Sequence, residues 1–177
     1  MAKQIGDVTI ECVKGDIIRQ DGFDAVVNAA NAELRIGGGV AGAIHRAAGP
    51  ELEKECRPLA PIKPGQAVIT SGQKMINPYI IHCLGPVYGM DEPSDKLLAD
   101  CYRNALRLAD EKGLTSVAFP ALSTGAFGYP MEPAAEVAMK TVVEEAPNLK
   151  NVRRIRFVLI SEDAVDIHEE ALEKAAG

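Results

Sequence analysis

Apolar residues along the chain fall into short runs that alternate with longer segments of helical period. The short runs predict six strands, at residues 8–13, 25–27, 67–70, 79–84, 117–120 and 155–160. The longer segments predict four helices, at residues 39–48, 94–112, 132–146 and 162–176. This alternation predicts an α/β fold, a three-layer α/β/α sandwich with a mixed, largely parallel central sheet. Because no repeat or linker interrupts it, residues 1–177 are expected to form a single domain.

Capping signals predict where the longest helix begins and ends. Ser94 is a residue type that caps helix N-termini, and Gly113 suits the left-handed position just beyond a C-terminus. We therefore expect Ser94 to be the N-cap of the second predicted helix.

Charge and glycine content narrow the range of ligands. The chain has 25 acidic and 19 basic residues, a net charge of −6, and no run of Lys or Arg. Nucleic-acid polymers and anionic membranes require a clustered basic face, so both are unexpected partners, whereas small anions remain open. Five of the 16 glycines lie within residues 37–49, which suggests that the backbone itself is used there.

The cysteines and the N-terminus indicate a cytoplasmic protein. The four cysteines form no CxxC pair and have no His at zinc-ligand spacing, so we expect free, mostly buried thiols and no metal site. The N-terminal residues lack an uninterrupted apolar stretch, and no apolar run approaches the roughly 20 residues of a membrane span.

Three loops follow predicted strands and carry unusual sequences. They are residues 15–17, residues 28–42 and residues 123–129. In open α/β sheets, ligands bind outside the carboxyl ends of the strands, where such loops lead into helices. The glycines of the second and third loops would let backbone N–H groups and a helix N-terminus approach an anion, so two loops together could hold a diphosphate.

A nicotinamide or ATP site is a poor match to these loops. Gly37, Gly39 and Gly42 satisfy G-x-G-x-x-G, but nine residues separate the predicted strand from the first glycine. The acidic residue expected about 20 positions further on is also missing, and the chain has no GxxxxGK[ST] motif. No cofactor is therefore expected.

Five segments together resemble one known family. They are GDI at 15–17, VVNAAN at 26–31, GGGVAGAIHRAAG at 37–49, IIHCLGP at 80–86 and FPALSTGAFGYP at 119–130. In this order, over nearly the whole chain, they closely resemble the macrodomain family of ADP-ribose-binding modules.

The resemblance implies a role for each loop. Asp16 would accept a hydrogen bond from the adenine amino group, and the Ile17 amide would help to hold the ring. Asn31 would bind the distal ribose, with Asn28 supporting the loop, and Phe127 would pack against that ribose. The diphosphate would be held by backbone amides of Gly38, Gly39 and Val40 on one side, and of Ser123, Thr124, Gly125, Ala126 and Phe127 on the other.

Each assignment has a plainer alternative. Asp16 has the residue type of a turn former, and Asn28 and Asn31 have the type that caps its own loop; their register with both glycine loops favours the ligand roles. Phe127, flanked by glycines, has little local core to fill.

The three histidines are not assigned to the site. His45 is interpreted as a satisfied residue on a helix face, and His82 as a core residue in the middle of a strand. His168 is expected to be solvated.

Two departures from the family bear on catalysis. In one hydrolase subgroup the glycines continue Val-Asp-Gly, and that Asp is thought to orient the attacking water, whereas this chain has Ala41 there. Viral hydrolases with alanine at this position carry a His just before the glycines, where this chain has Ile36.

Loss of the base does not exclude turnover, because general acid-base catalysis typically contributes only about 10²- to 10⁴-fold. The hypothesis is slow hydrolysis of mono-ADP-ribosyl esters on proteins, or of O-acetyl-ADP-ribose, by a water held between the ligand, Asn31 and the Gly38 amide. The alternatives are a non-catalytic ADP-ribose reader and an ADP-ribose 1″-phosphate phosphatase; an RNA-end binder fits the charge less well.

A third departure concerns adenine. Many macrodomains place an aromatic residue after the last strand to stack on the base, but this chain has Ser161. The adenine ring is therefore expected to rest on aliphatic neighbours, and the Asp16 contact is expected to contribute a larger share of the binding free energy.

Overall fold

A computed structural model describes residues 2–177, and its centre is a seven-stranded sheet. The strands are β1 (Ala2–Ile5), β2 (Val8–Lys14), β3 (Ala25–Ala29), β4 (Ala67–Ser71), β5 (Tyr79–Cys83), β6 (Ser116–Phe119) and β7 (Arg154–Leu159). Their order across the sheet is β1-β2-β7-β6-β3-β5-β4. The five inner strands are parallel, and the edge strands β1 and β4 run antiparallel to their neighbours. The predicted mixed, largely parallel sheet is confirmed.

Helices cover both faces of the sheet. They are α1 (Gly39–Ala48), α2 (Glu51–Cys56), α3 (Ser94–Glu111), α4 (Met131–Glu145) and α5 (Glu162–Ala176), with 3₁₀ turns at Arg57–Leu59 and Ala146–Asn148. The apolar faces of α3, α4 and α5 form one core with the sheet, and α1 and α2 form a second core on the opposite face. This is the predicted three-layer sandwich.

Two elements are absent from the sequence-based prediction. Strand β1 alternates between exposed and half-buried residues, so it lacks a strongly apolar face and depends on pairing with β2. Helix α2 has six residues, of which only Leu52 and Cys56 are buried. Elements this short or this polar form because of their tertiary neighbours, and periodicity does not detect them.

The expected N-cap of α3 was wrong. Pro93 occupies that position, and no side chain caps the helix. Ser94 lies in the first turn, and its hydroxyl donates to the carbonyl of Asp91, so it stabilises the preceding loop instead. At the other end, Gly113 has φ = +78° and its N–H donates to the carbonyl of Asp110, as its predicted position requires.

Two of the three histidine interpretations require correction. His168 is buried against Phe157, and its Nδ1 lies 2.8 Å from the Ala164 carbonyl, so the expectation that it is solvated was wrong. His45 is buried as well, but its Nε2 has no hydrogen-bond partner within residues 2–177, so it is not satisfied. Helical period places a residue on a face, but it does not show what covers that face.

His82 is a core residue, as predicted, and it is held in one tautomer. Asn28 Nδ2 donates to His82 Nδ1 over 3.0 Å, so the proton lies on Nε2, which donates to Thr70 Oγ1 over 2.9 Å. Burial lowers the pKa of His82 to about 3, and the positive charge of His45 contributes to the lowering.

We expect acid to destabilise the protein through His82. Its folded pKa lies below its unfolded pKa, so the unfolded chain binds the proton first and stability falls as pH decreases from about 6.5 towards about 3. The loss for this group is about 1.4 kcal/mol per pH unit. Urea unfolding at about pH 7.5 and about pH 5.5 measures it. Between these pH values, the free energy of unfolding of the variant His82→Gln should fall by less than that of the parent. An equal fall in both proteins would show that His82 is not the group responsible.

The four cysteines are free and buried, as expected. Burial raises the pKa of Cys56 to about 11 and of Cys12 and Cys101 to about 12, and it also raises the pKa of Cys83 well above its usual value. These thiols are therefore poor nucleophiles at neutral pH. Across residues 2–177, no helix combines the length and apolarity that crossing a bilayer requires.

Candidate functional site

The carboxyl ends of three adjacent parallel strands, β2, β7 and β6, and the N-terminus of α1 border one cavity of about 550 Å³. Pairing between β3 and β6 stops after Val26 and Ala118, so the backbones of these strands are no longer joined where the cavity opens. The cavity is lined by Gly15, Asp16, Ile17, Gly39, Val40, Ala43, Pro120, Ala121, Thr124, Gly125, Met131, Val158, Leu159, Ile160 and Ala164. The structure thus brings together parts of all three loops singled out in the sequence.

The first loop presents a carboxylate and a free amide. Asp16 Oδ1 accepts from the Ile18 amide over 3.2 Å, so this residue does form the turn considered as its alternative role. Its side chain is still 52% exposed, and its Oδ2 lies 3.9 Å from Arg19 Nε. The Ile17 N–H has no acceptor within residues 2–177. Both groups remain able to bind a ligand.

The second loop leads directly into α1 through glycines that the geometry requires. Gly39 has φ = +55°, in the left-handed region. At Gly42 a Cβ would overlap the carbonyl oxygen of Gly37, so the loop packs against the helix backbone. At Gly38, in contrast, a Cβ would meet nothing within 4 Å, because this residue borders open space.

Helix α1 differs from the other helices in its electrostatics. It is the only α-helix within residues 2–177 with no acidic side chain in its first turn, and no side chain caps it. The first N–H groups of a helix have no intrahelical partner and carry partial positive charge. This end of α1 is therefore an uncompensated electropositive site at the wall of the cavity.

The third loop also offers unpaired amides. Ser123 has φ = +66°, and its hydroxyl donates to the Pro86 carbonyl over 2.8 Å, which fixes the turn from behind. The Tyr129 amide donates to the Ser123 carbonyl over 2.9 Å and closes the loop. Within residues 2–177, none of the N–H groups of residues 123–127 has an acceptor. Thr124 and Gly125 line the same cavity as Gly39 and Val40, so unpaired amides of this loop lie at the cavity together with the α1 N-terminus.

Three predicted residues, Asn28, Asn31 and Phe127, are not among the residues that line the cavity. Asn28 is buried and bonded to His82, with its Oδ1 unpartnered. Asn31 uses both ends of its amide on the Arg35 backbone, donating to its carbonyl over 2.8 Å and accepting from its amide over 3.0 Å. Phe127 packs against the core under α1, so the expectation that it has little core to fill was wrong.

The two residues that directly follow β7 are Ile160 and Ser161, and neither is aromatic. Ser161 is the N-cap of α5, and its Oγ accepts from the Ala164 amide over 3.1 Å. Ile160 lines the cavity while 86% exposed, and Val158 lies beside it. Neither Val158 nor Ile160 was predicted as a site residue, although both lie at the end of the last predicted strand.

The cavity contains little acid-base chemistry. Asp16 is the one titratable residue among its described lining residues, and Ala41, the position that would carry a carboxylate, is buried. No group of three or more His, Cys, Asp or Glu within residues 2–177 could hold a metal ion. The described walls can therefore orient an anion and a water, but they supply no histidine.

Comparisons with known proteins agree with this geometry. A family model described as "Macro domain" matches residues 27–138. A macro domain-containing protein of Chlorobaculum tepidum is 44% identical over 172 residues, which cover 97% of this chain and 98% of that protein.

Two solved structures extend the likeness to three dimensions. The Oceanobacillus iheyensis macrodomain with ADP is 40% identical, has a TM-score of 0.94 and covers 99% of this chain and 96% of its own. The Trypanosoma brucei macrodomain in complex with ADP-ribose is 35% identical, has a TM-score of 0.83 and covers 95% of this chain and 69% of its own.

Proposed function

The chain belongs to the macrodomain family, and on that premise we propose that it binds ADP-ribose in the cavity at the carboxyl ends of β2, β7 and β6 and the N-terminus of α1. The observation that carries the proposal is the convergence on one cavity of about 550 Å³ of a carboxylate and of unpaired amides from two loops. The related macrodomains with ADP and with ADP-ribose support it.

The adenine would lie at the first loop. Its edge presents an amino donor beside a ring-nitrogen acceptor, and the Asp16 carboxylate with the Ile17 N–H offers the reverse pair. Guanine would place a carbonyl against the carboxylate, which leaves both acceptors unpaired and costs about 1–3 kcal/mol. The aliphatic side chains of Val158 and Ile160 would cover the ring face without stacking on it.

The diphosphate would lie between the two rows of amides. On one side are Gly38, Gly39 and Val40 at the α1 N-terminus, and on the other are residues 123–127. Backbone donors let a chain with a net charge of −6 hold two phosphates without a basic patch.

The distal ribose would be held by Asn31, supported by Asn28, with Phe127 packed against it. Because Arg35 occupies one donor and one acceptor position of the Asn31 amide, the residue keeps one hydrogen and one lone pair for a ribose hydroxyl. The contact with Arg35 also holds the amide in one orientation, which reduces the entropy cost of binding.

Calorimetry with ADP-ribose, ADP, NAD and AMP tests this placement. We expect ADP-ribose to bind most tightly, ADP less tightly and AMP least. ADP lacks the distal ribose and its contact with Asn31, and AMP also lacks one phosphate and the amides that would bind it. Equal affinity for AMP and ADP-ribose would contradict a diphosphate site between the two loops.

The activity that fits the site is slow hydrolysis of mono-ADP-ribosyl esters on proteins, or of O-acetyl-ADP-ribose. Water would add across the ester bond and release ADP-ribose and a free carboxylic acid. Because Ala41 supplies no base, the water would be oriented by Asn31, the Gly38–Val40 amides and the ligand's own phosphate. Orientation alone accelerates reactions substantially, while the absent base accounts for a loss of about 10²- to 10⁴-fold.

A time course with a glutamate-linked ADP-ribosyl peptide at stoichiometric protein tests turnover. We expect release of ADP-ribose above the spontaneous rate, and no such release with the variant Gly38→Glu. Binding without release would instead show a non-catalytic reader.

A further inference from the structure

We propose that Gln20 is a positioning residue that sets the base selectivity of the cavity by fixing the peptide group between Asp16 and Ile17. This inference rests on the proposed binding of ADP-ribose. It assigns a function to a buried side chain that does not line the cavity.

Gln20 connects the loop to the sheet beneath it. The residue is 4% exposed, and its Nε2 donates to the Asp16 carbonyl over 2.7 Å. Its Oε1 accepts from Arg156 Nη1 over 3.0 Å. A guanidinium only donates, so the amide oxygen must face Arg156 and the amide nitrogen must face Asp16. The two hydrogen bonds therefore fix which way the side-chain amide of Gln20 is turned.

Arg156 is itself immobilised by its neighbours. Parallel pairing of β2 with β7 places it beside Glu11, and its Nε donates to Glu11 Oε1 over 3.1 Å. Its guanidinium lies 4.6 Å from the ring centre of Phe23. Arg154 contacts the same carboxylate oxygen over 3.1 Å and the same ring at 4.5 Å. Both arginines therefore lie on the Phe23 ring and bond to the Glu11 carboxylate, so Arg156 is a rigid partner for Gln20 on the sheet.

The peptide group that Gln20 holds is the one that presents the free donor. The Asp16 carbonyl and the Ile17 N–H belong to one planar trans peptide and point in opposite directions. The carbonyl accepts from Gln20 Nε2 and, over 2.9 Å, from the Arg19 amide. Fixing the carbonyl beneath the loop therefore fixes the direction of the unpaired N–H above it. Asp16 precedes this peptide, so its carboxylate is held in the same frame.

Base selectivity follows from this coupling. Adenine offers a donor amino group next to an acceptor nitrogen, whereas hypoxanthine offers a carbonyl next to an N–H. A fixed Asp16 carboxylate and a fixed Ile17 N–H match adenine and mismatch hypoxanthine at both positions. If the peptide turns, both contacts weaken for adenine, while the diphosphate contacts of the other loops are unaffected.

The variant Gln20→Glu separates the two contacts of Gln20. A carboxylate still accepts from Arg156, but it opposes the Asp16 carbonyl with a second acceptor and turns the peptide. Gln66→Glu is the matched control: Gln66 is exposed outside the cavity, and its Oε1 accepts from the Lys63 amide, which a carboxylate also does. Gln20→Met, of similar length with neither contact, is the second variant if Gln20→Glu does not fold.

The experiment is calorimetry with ADP-ribose and with inosine diphosphate ribose, its hypoxanthine analogue, on the full chain. We expect the parent and Gln66→Glu to prefer ADP-ribose by about tenfold or more, and Gln20→Glu or Gln20→Met to prefer it by less than about threefold. Equal weakening of both ligands, with the preference retained, would show a merely structural role and overturn the proposal. A parent that binds both ligands equally would also overturn it while leaving ADP-ribose binding intact, and a parent that binds neither would refute both the proposed function and this inference.

Discussion

Replacing Gly38 with glutamate is expected to abolish ADP-ribose binding while leaving the fold intact. Gly38 has φ = −84° and ψ = 178°, which any residue adopts, and a Cβ there meets nothing within 4 Å. The protein therefore tolerates the side chain. The new carboxylate would occupy the α1 N-terminus in place of a ligand phosphate, and negative charge there stabilises the helix.

We expect Gly38→Glu to lower ADP-ribose affinity by more than about 100-fold, or about 2.7 kcal/mol, with a melting temperature at or above that of the parent. The control Gly38→Gln has nearly the same size without the charge, so it should lose less affinity. Calorimetry and thermal unfolding measure the two effects separately. If Gly38→Glu binds ADP-ribose as the parent does, the diphosphate does not lie at α1.

Replacing Asp16 with alanine is expected to lower ADP-ribose affinity by at least about tenfold, or about 1.4 kcal/mol. A hydrogen bond to a charged group typically contributes about 1.5–3 kcal/mol, and no aromatic stack compensates for its loss because Ser161 is the N-cap of α5. The ion pair of Asp16 with Arg19 spans 3.9 Å between exposed side chains, so its loss has little effect on stability.

The control Asp21→Ala removes the same charge from an exposed position in the same connection between β2 and β3, and Asp21 does not line the cavity. It should bind ADP-ribose as the parent does, because screening weakens such distant charges. Unchanged affinity of Asp16→Ala by calorimetry would refute the placement of adenine at the first loop.

Most of the fold could be predicted from the sequence because its long elements have strong patterns. Helices α1 and α5 have the predicted bounds, and the six predicted strands are present within a residue or two of theirs. Strand β1 and helix α2 were missed because each is short and presents at most two buried residues. Such elements are stabilised by contacts with neighbouring elements, so the pattern of their own residues does not predict their secondary structure.

The sequence predicted the loops of the candidate site, but it did not predict the residues that hold those loops in place. Glycines and polar residues after strands indicated where a ligand would bind, and the structure brings those segments to one cavity. The sequence did not indicate that Gln20 reaches the Asp16 carbonyl or that Arg156 reaches Gln20, since these pairs depend on how β2 and β7 align. The burial of His168 was missed because it depends on how α5 packs against Phe157 of β7.

By itself, the sequence determined the layered α/β fold and the loops that face a ligand, because hydrophobic period and glycine placement are local properties of the chain. Only the tertiary structure decided that the N-terminus of α1 lies at the cavity wall, that the exposed Ile160 lines the same cavity, and that Asn31 is bonded to Arg35. These features depend on which elements meet and which polar groups pair after folding. Pairing within a folded chain is a property of the packed elements together, and no segment determines it alone.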